Sequence, residues 1–257
     1  MRYALPMLLL TLGPAWAQDW PMFRLDLAHS AAVDAPAAIE GPQVRWSFAT
    51  GGVVESSPAI ADGVLYQGSF DGALYALDAE AGTVRWRFLV GSLLRASPAV
   101  AGGLVYFGAD DNRFYAVDAV SGEARWSFPL GPGGQQSSPA VRDGVVFFGA
   151  FDRHVYALDA ETGAERWRFA TGAGILSSPA IAGSLLFIGS IDGSVYALDV
   201  ESGQLRWRFE TGAPVFSSPA LAGDLVFIGS DDGFLVALDA ESGQLRWRFR
   251  AGREIFS

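Results

Sequence analysis

Arg, Trp and Arg stand together in the phrase ESGQLRWRF at 201–209, and the same nine letters return at 241–249. Guanidinium charge beside an indole face is the chemistry of a nucleic-acid grip, in which bases stack and phosphates pair with cations. The same letters also fit one structural strand of a repeating unit. Charge balance weighs against the grip. All 18 basic residues are Arg, set against 28 acidic ones, for a formal net charge of −10. Leaving out the first seventeen residues, whose only charge is Arg2, 17 basic against 28 acidic gives −11. A net negative field repels phosphate at long range, so nucleic acid is not an expected partner.

Acid–base, nucleophilic and metal chemistry find few parts. The two histidines, His29 and His154, are far apart in the chain, and His154 stands beside a turn. Ser-Ser-Pro recurs at 56–58, 137–139, 177–179 and 217–219, without the G-x-S-x-G setting of a nucleophile elbow. Asp71, Asp111, Asp152, Asp192 and Asp232 share one equivalent position and invite a metal-ring reading. Asp is also an ordinary hairpin-turn residue, and repeat symmetry would spread the five apart. With no cysteine there is no disulfide, no thiolate metal ligand, no thiol nucleophile and no lipid-bearing Cys. No catalytic, cofactor-binding or metal-binding residue is assigned.

The first seventeen residues, MRYALPMLLLTLGPAWA, combine an early Arg, a short apolar run and a small-x-small end. They read as a secretory signal peptide cut before Gln18, which predicts a periplasmic or secreted protein. The run falls short of the roughly 20 apolar residues of a spanning helix, so no membrane span or lipid anchor is expected.

Repetition organises the rest. Trp46, Trp86, Trp126, Trp167, Trp207 and Trp247 recur at spacings of 40, 40, 41, 40 and 40, each preceded by Arg and followed two positions on by Phe. Between them, short apolar runs alternate with turn residues. SPAIA, VLYQGS, ALYALD and TVRWRF make four runs in 57–88, broken by Asp-Gly twice and by AEAG. Four short strands joined by hairpins in about 40 residues are the pattern of a β-propeller blade. The sequence therefore predicts an all-β propeller of four-stranded antiparallel blades, five complete and a sixth in part. Its segments are the signal peptide (1–17), a lead-in (18–43) and the repeats (44–257), with VRWSF at 44–48 as the fourth strand of an incomplete blade.

Each complete unit carries an eleven-residue phrase: ALDAEAGTVRW at 76–86, AVDAVSGEARW at 116–126, ALDAETGAERW at 157–167, ALDVESGQLRW at 197–207 and ALDAESGQLRW at 237–247. This resembles the tryptophan-docking motif of the PQQ-like β-propellers. That family includes the quinoprotein alcohol dehydrogenases and the lipoprotein subunit of the outer-membrane barrel-assembly machinery, BamB. DWPMFRLDLAHS at 19–30 resembles the lead-in of many of its members. The resemblance implies that Trp86, Trp126, Trp167, Trp207 and Trp247 are inter-blade anchors lying flat on a turn of the adjacent blade. Strand alternation predicts that Leu, Trp and Phe of LRWRF face one way and the Arg pair faces solvent.

The resemblance also raises PQQ held over Ca²⁺, but the calcium-ligand and catalytic segments of the dehydrogenases find no counterpart here, so no cofactor is expected. Positions where the copies disagree point elsewhere. The residues before each inner strand are Val54-Glu55, Leu94-Arg95, Gln135-Gln136, Ile175-Leu176 and Val215-Phe216. They enter one mouth of the propeller, and Glu55, Arg95 and Gln136 are the candidates for a partner surface. The expected function is an exported, non-catalytic scaffold that binds a protein or peptide in the cell envelope. Alternatives are a reduced quinoprotein dehydrogenase and a structural fragment of a larger propeller, self-associating through its incomplete blade.

Overall fold

A computed structural model describes residues 21–24, 26–29, 44–253 and 255. The signal-peptide reading of 1–17 and most of the lead-in lie outside them. In the first blade, β1 (Ala59–Ala61), β2 (Val64–Gly68), β3 (Ala73–Asp78) and β4 (Val84–Leu89) pair in sequence order. Four more blades repeat this: β5–β8 within Ala99–Pro129, β9–β12 within Ala140–Ala170, β13–β16 within Ala180–Glu210 and β17–β20 within Ala220–Arg250. All the pairings are antiparallel. Each inner strand has three residues: β1, then β5 (Ala99–Ala101), β9 (Ala140–Arg142), β13 (Ala180–Ala182) and β17 (Ala220–Ala222).

No blade has a core of its own. The buried clusters lie between neighbours, joining the first blade to the second, the second to the third, and so on to the fifth. This is the physics of a repeat array, in which each unit buries its apolar face only against the next.

Three devices lock one blade to the next. At the outer edge, Trp86, Trp126, Trp167 and Trp207 each lie on the motif turn of the following blade. Their indole N–H groups donate to Ala119, Ala160, Val200 and Ala240 at 2.8–3.0 Å. The ring rests on Gly122, Gly163, Gly203 or Gly243, where φ is +69° to +72° and an added Cβ would stand 2.6 Å from the indole. Only glycine meets both demands. Nearer the axis, Leu94, Ile175, Val215 and Ile255 press on Gly68, Gly149, Gly189 and Gly229, the last residues of the second strands or their equivalents. At the inner strands, the N–H groups of Ser57, Ser97, Ser138 and Ser178 donate to the hydroxyls of Ser97, Ser138, Ser178 and Ser218 at 2.9–3.0 Å. The recurring serine is an inter-blade relay of hydrogen bonds.

Two expectations need correction. Residues 44–50 form no strand, because no neighbouring strand among the described residues offers them a ladder. Trp46 nevertheless docks, donating to Ala79 at 3.0 Å and lying on Gly82. The simple alternation of LRWRF also fails. In every blade the register slips at the motif, so that Ala76 faces Trp86 while Leu77 faces Val84 and Arg85 is the extra residue of a β-bulge. The bulge turns Leu205 outward, 46% exposed, while Trp207 is 9% exposed. It also aims each motif Arg back at the Asp of its own turn: Arg85 at Asp78, Arg166 at Asp159 and Arg246 at Asp239 at 2.5–2.8 Å, and Arg125 at Asp118 and Arg206 at Asp199 at 3.6 and 3.7 Å.

Candidate functional site

The turns between second and third strands and the loops entering the inner strands share one end of the array. In a four-stranded antiparallel meander this end is opposite the motif turns. Glu55 and Arg95 lie in two successive loops there and meet: Arg95 Nη1 is 3.5 Å from Glu55 Oε2. Arg95 Nε also donates to Asp110 Oδ2 at 3.0 Å, and its guanidinium lies 4.7 Å from the centre of the Phe70 ring. Gln136 holds the equivalent place one blade on, half-buried, with no bond to this pair among the described residues. The mouth therefore joins two of the three expected residues and adds Asp110 and Phe70.

Asp110 stands in a column whose other members are Phe70, Phe151, Ile191 and Asp231. Its Oδ1, the Oδ1 of Asp231 and the Oε1 of Gln135 are buried without a hydrogen-bond partner. Gln135 is fully buried where other blades have Leu94, Ile175 or Val215, and its amide donates to Ser137 O at 2.5 Å and Gly149 O at 3.2 Å. The sequence signal for Asp110 and Gln135 was the one that exposed Arg95: disagreement between copies at an equivalent position. In the sequence Asp110 is masked by the invariant Asp111 beside it.

That invariant Asp is occupied structurally. Asp71, Asp152 and Asp192 each accept the hydroxyl of Tyr75, Tyr156 or Tyr196 at 2.6–2.8 Å. Each also accepts a backbone N–H from the preceding blade: Gly51, Gly131 or Gly172, at 2.7 Å. Asp111 accepts Tyr115, whereas in the fifth blade Val236 replaces the tyrosine and Asp232 accepts Ser230 instead. Burial alone would raise the Asp71 carboxyl. Hydrogen bonds from Tyr75, Gly51, Ser69 and Ala73 outweigh it and hold the group below its ordinary range. Burial, then the carboxylate of Asp152, pushes the Tyr156 hydroxyl up. Among the described residues no three His, Asp or Glu side chains converge as a metal ion requires.

His154 stays at the surface turn beside Asp152. His29 does not: it is 5% exposed, its Nδ1 2.8 Å from Pro219 O. Burial pushes its pKa down to about 4. Residues 21–24 and 26–29 of the lead-in lie against the inner strands. The N–H groups of Val100, Ile181 and Leu221 donate to Pro21, Leu27 and Ala28 at 2.7, 2.6 and 2.9 Å. Nothing in the sequence pattern foretold this placement, because single-copy residues have no repeat to compare with.

Residues 27–257 match the family model described as the β-propeller of the β-alanine-activating enzyme. The chain belongs to this β-propeller family. Similar solved structures place it among the PQQ-like propellers. BamB from Moraxella catarrhalis is 26% identical, with a TM-score of 0.72 over 80% of this chain and 64% of that one. The quinohemoprotein alcohol dehydrogenase of Comamonas testosteroni is 19% identical, with a TM-score of 0.82 over 90% and 49%. The corresponding enzyme ADHIIG of Pseudomonas putida HK5 is 20% identical, with a TM-score of 0.77 over 90% and 48%. The chain thus spans under two thirds of BamB and about half of the two dehydrogenases. No curated protein matches its sequence. The eleven-residue motif recurs five times in this chain, and the mouth residues are places where the chain's repeats differ. Among the described residues no helix is long and apolar enough to cross a membrane.

Proposed function

We propose that this chain is an exported, non-catalytic propeller that binds a protein or peptide in the cell envelope, periplasmic or secreted, through the mouth that carries Glu55, Arg95, Asp110 and Gln136. One observation carries the reading. These residues are charged or amide in columns that are apolar in other blades, and they gather at one end, where loops lie open to a partner. The likeness to BamB supports a binding role. The likeness to the dehydrogenases concerns the fold. For a quinone over calcium the donor set does not fit. The five equivalent aspartates are engaged by tyrosine or serine hydroxyls and backbone N–H groups of their own turns, and they are dispersed over five blades. Self-association belongs to the same reading, through the outer face of the fifth blade, where Leu245, Trp247 and Phe249 are exposed.

A photo-crosslinking residue at Gln136 tests the mouth, with one at Glu201, on a motif turn at the other end, as control. Adducts with a discrete envelope polypeptide from position 136 alone, lost on Arg95→Glu, support the proposal. Equal labelling from both positions, or none, overturns it. A thermal shift on adding PQQ with Ca²⁺ would turn the reading towards a quinoprotein.

A further inference from the structure

We propose that a pocket over the third and fourth blades takes an apolar side chain of a partner peptide together with a carboxylate carried by the neighbouring residue. The inference rests on the reading of this end as a peptide-binding mouth and names what the partner brings to it.

The third blade departs from the others first in its turn. Between second and third strands, Gly72, Asn112, Arg153, Gly193 and Gly233 hold one equivalent position, all with positive φ. Glycine takes that region at no steric cost. Asn112 is engaged there, its Oδ1 accepting the N–H groups of Gly133 and Gly134 at 3.0 and 2.9 Å. Arg153 is held at φ +73°, and its exposed guanidinium makes no hydrogen bond or ion pair among the described residues. Backbone strain that secures no contact within the fold points to a contact outside it.

The second departure is the loop entering this blade. It carries the extra residue, since Trp126 and Trp167 stand 41 apart where the other spacings are 40. Phe70, Asp110, Ile191 and Asp231 each donate a backbone N–H to the loop entering their blade, on Val53, Leu93, Gly174 and Pro214, at 2.9–3.0 Å. Phe151, their equivalent, has no such bond among the described residues. Its ring is seated between Gly133 and Gly174, where an added Cβ would stand 2.6 and 3.1 Å away, and the residue is 40% exposed.

Both departures meet in one cavity of about 480 Å³, lined by Pro132, Phe151, Arg153, Ala173, Gly174 and Ile191, with Asp152 beside them. Asp152 is already satisfied: Oδ2 accepts the Tyr156 hydroxyl and the Gly131 N–H, and Oδ1 accepts the His154 N–H. The one free charge of the lining is therefore positive. A guanidinium set in apolar walls suits a carboxylate beside an apolar group. The chain's net charge of −10 opposes an acidic run at long range, which narrows the occupant to a single carboxylate flanked by apolar side chains.

The probes are fluorescein-labelled, C-terminally amidated peptides: Gly-Phe-Glu-Phe-Gly, Gly-Phe-Gln-Phe-Gly and Gly-Ala-Glu-Ala-Gly, titrated by anisotropy into the full chain. The first should bind about fivefold more tightly than either of the others, the scale of one ion pair near the surface. Arg153→Gly restores the turn residue of three other blades. It should erase the preference for Glu over Gln while Tm stays level or rises. Phe151→Ala should erase the preference for Phe over Ala; should that variant fail to fold, the Arg153→Gly comparison decides alone. Equal binding of the three peptides overturns the proposal, as does a Glu preference that survives Arg153→Gly. A lower Tm in Arg153→Gly also overturns it, because Arg153 would then be serving the fold. A crosslinker at Gln136 that captures the first peptide equally with and without Arg153→Gly keeps the mouth and overturns the pocket. Arg153-dependent binding without adducts at Gln136 keeps the pocket and loses the mouth.

Discussion

Trp207 and Trp247 sit in the same nine-residue phrase, and only Trp207 has a described neighbouring blade beyond it. That makes Trp207→Ala against Trp247→Ala a measurement of docking with local sequence held constant. Trp207 is 9% exposed, lies on Gly243 and donates to Ala240 at 2.8 Å; Trp247 is 43% exposed. The difference is about a third of an indole side chain's ~250 Å², or about 80 Å², which at ~25 cal per Å² is about 2 kcal/mol. The hydrogen bond adds about 1 kcal/mol. Trp207→Ala should therefore cost about 3 kcal/mol more than Trp247→Ala, within the roughly 3–5 kcal/mol range for emptying a buried tryptophan site. For a chain of this size that is a gap of about 6–12 °C in Tm. Far-UV circular dichroism reads both urea and thermal unfolding without depending on the indole that is removed. Light scattering at the same low protein concentration establishes that both variants are compared in one assembly state. Equal losses, within about 1 kcal/mol, would mean that Trp247 is covered in solution as fully as Trp207, and the inference from exposure to energy would fall.

Other expectations follow from single contacts. Gly203→Ala puts a Cβ 2.6 Å from the Trp167 indole at φ +69°, whereas at Gly183, φ +54°, nothing lies within 4 Å. Thermal unfolding should find Gly203→Ala about 2 kcal/mol worse than Gly183→Ala, and equal losses would refute the docking account. Asp159 is held down to about 2, first by Arg166 and then by Thr162. Its contribution is present above the ordinary carboxylate pKa and is lost as pH falls from about 4 through 2, so Tm of Asp159→Asn should fall less steeply over that window. His29 runs the other way from an ordinary paired histidine. Its pKa of about 4 arises from burial first, opposed by its bond to Pro219 O, with Arg24 lowering it and Asp26 raising it. The unfolded chain binds the proton first, so stability falls by up to about 1.4 kcal/mol per pH unit from pH 6.5 down to 4, and His29→Gln should flatten that slope. Gln135→Leu removes a buried oxygen with no partner and restores the aliphatic residue of other blades. A gain of about 1 kcal/mol in urea denaturation is expected, and a loss would show that its bonds to Ser137 O and Gly149 O outweigh the unpaired atom.

The blade order and the docking of Trp86, Trp126, Trp167 and Trp207 were legible because the motif is written five times, whereas Trp247, expected to dock as well, is 43% exposed and meets no motif turn among the described residues. Period, turn residues and the small motif Ala all point to one geometry, and agreement between such levels is what specifies a fold. The β-bulge was not legible. Hydrophobic alternation across Leu205, Arg206 and Trp207 looks regular, and only the ladder shows that Arg206 is skipped. The strand expected at 44–48 failed for a different reason. A strand is defined by its neighbour, and VRWSF carries the side-chain letters of docking without, among the described residues, an adjacent strand that would make it a ladder. At the site, Glu55 and Arg95 were readable as odd members of a repeated column. Their mutual contact, and the arrival of Asp110 beneath Arg95, depend on loop geometry that no column records. His29 was hidden most completely, since a single histidine in a single-copy segment gives neither period nor comparison.

Internal repeats supply their own control, and the control says where stability alone does not account for the letters. Structure explains the repeated ones: Gly under the indole, Asp capping its turn, Ser passing a hydrogen bond to the next blade. The copies break the pattern in the same direction at neighbouring places, most often in the second and third blades. Arg95 and Gln136, like Glu55, stand where the fourth and fifth blades have Leu176 and Phe216; Asp110, like Asp231, stands where the others have Phe70, Phe151 and Ile191; and Gln135 stands where others have Leu94, Ile175 and Val215. An apolar choice at these places fits this very backbone, as the other blades demonstrate. The polar choices leave three buried oxygens unpaired, at Asp110, Gln135 and Asp231, and an unpaired buried acceptor costs about 1–3 kcal/mol. The ion pairs gained at Arg95 are partly exposed and return about 0–1 kcal/mol each. Folding therefore gains little from these residues and loses something measurable. That asymmetry, concentrated at one mouth, is the physical ground for placing recognition there.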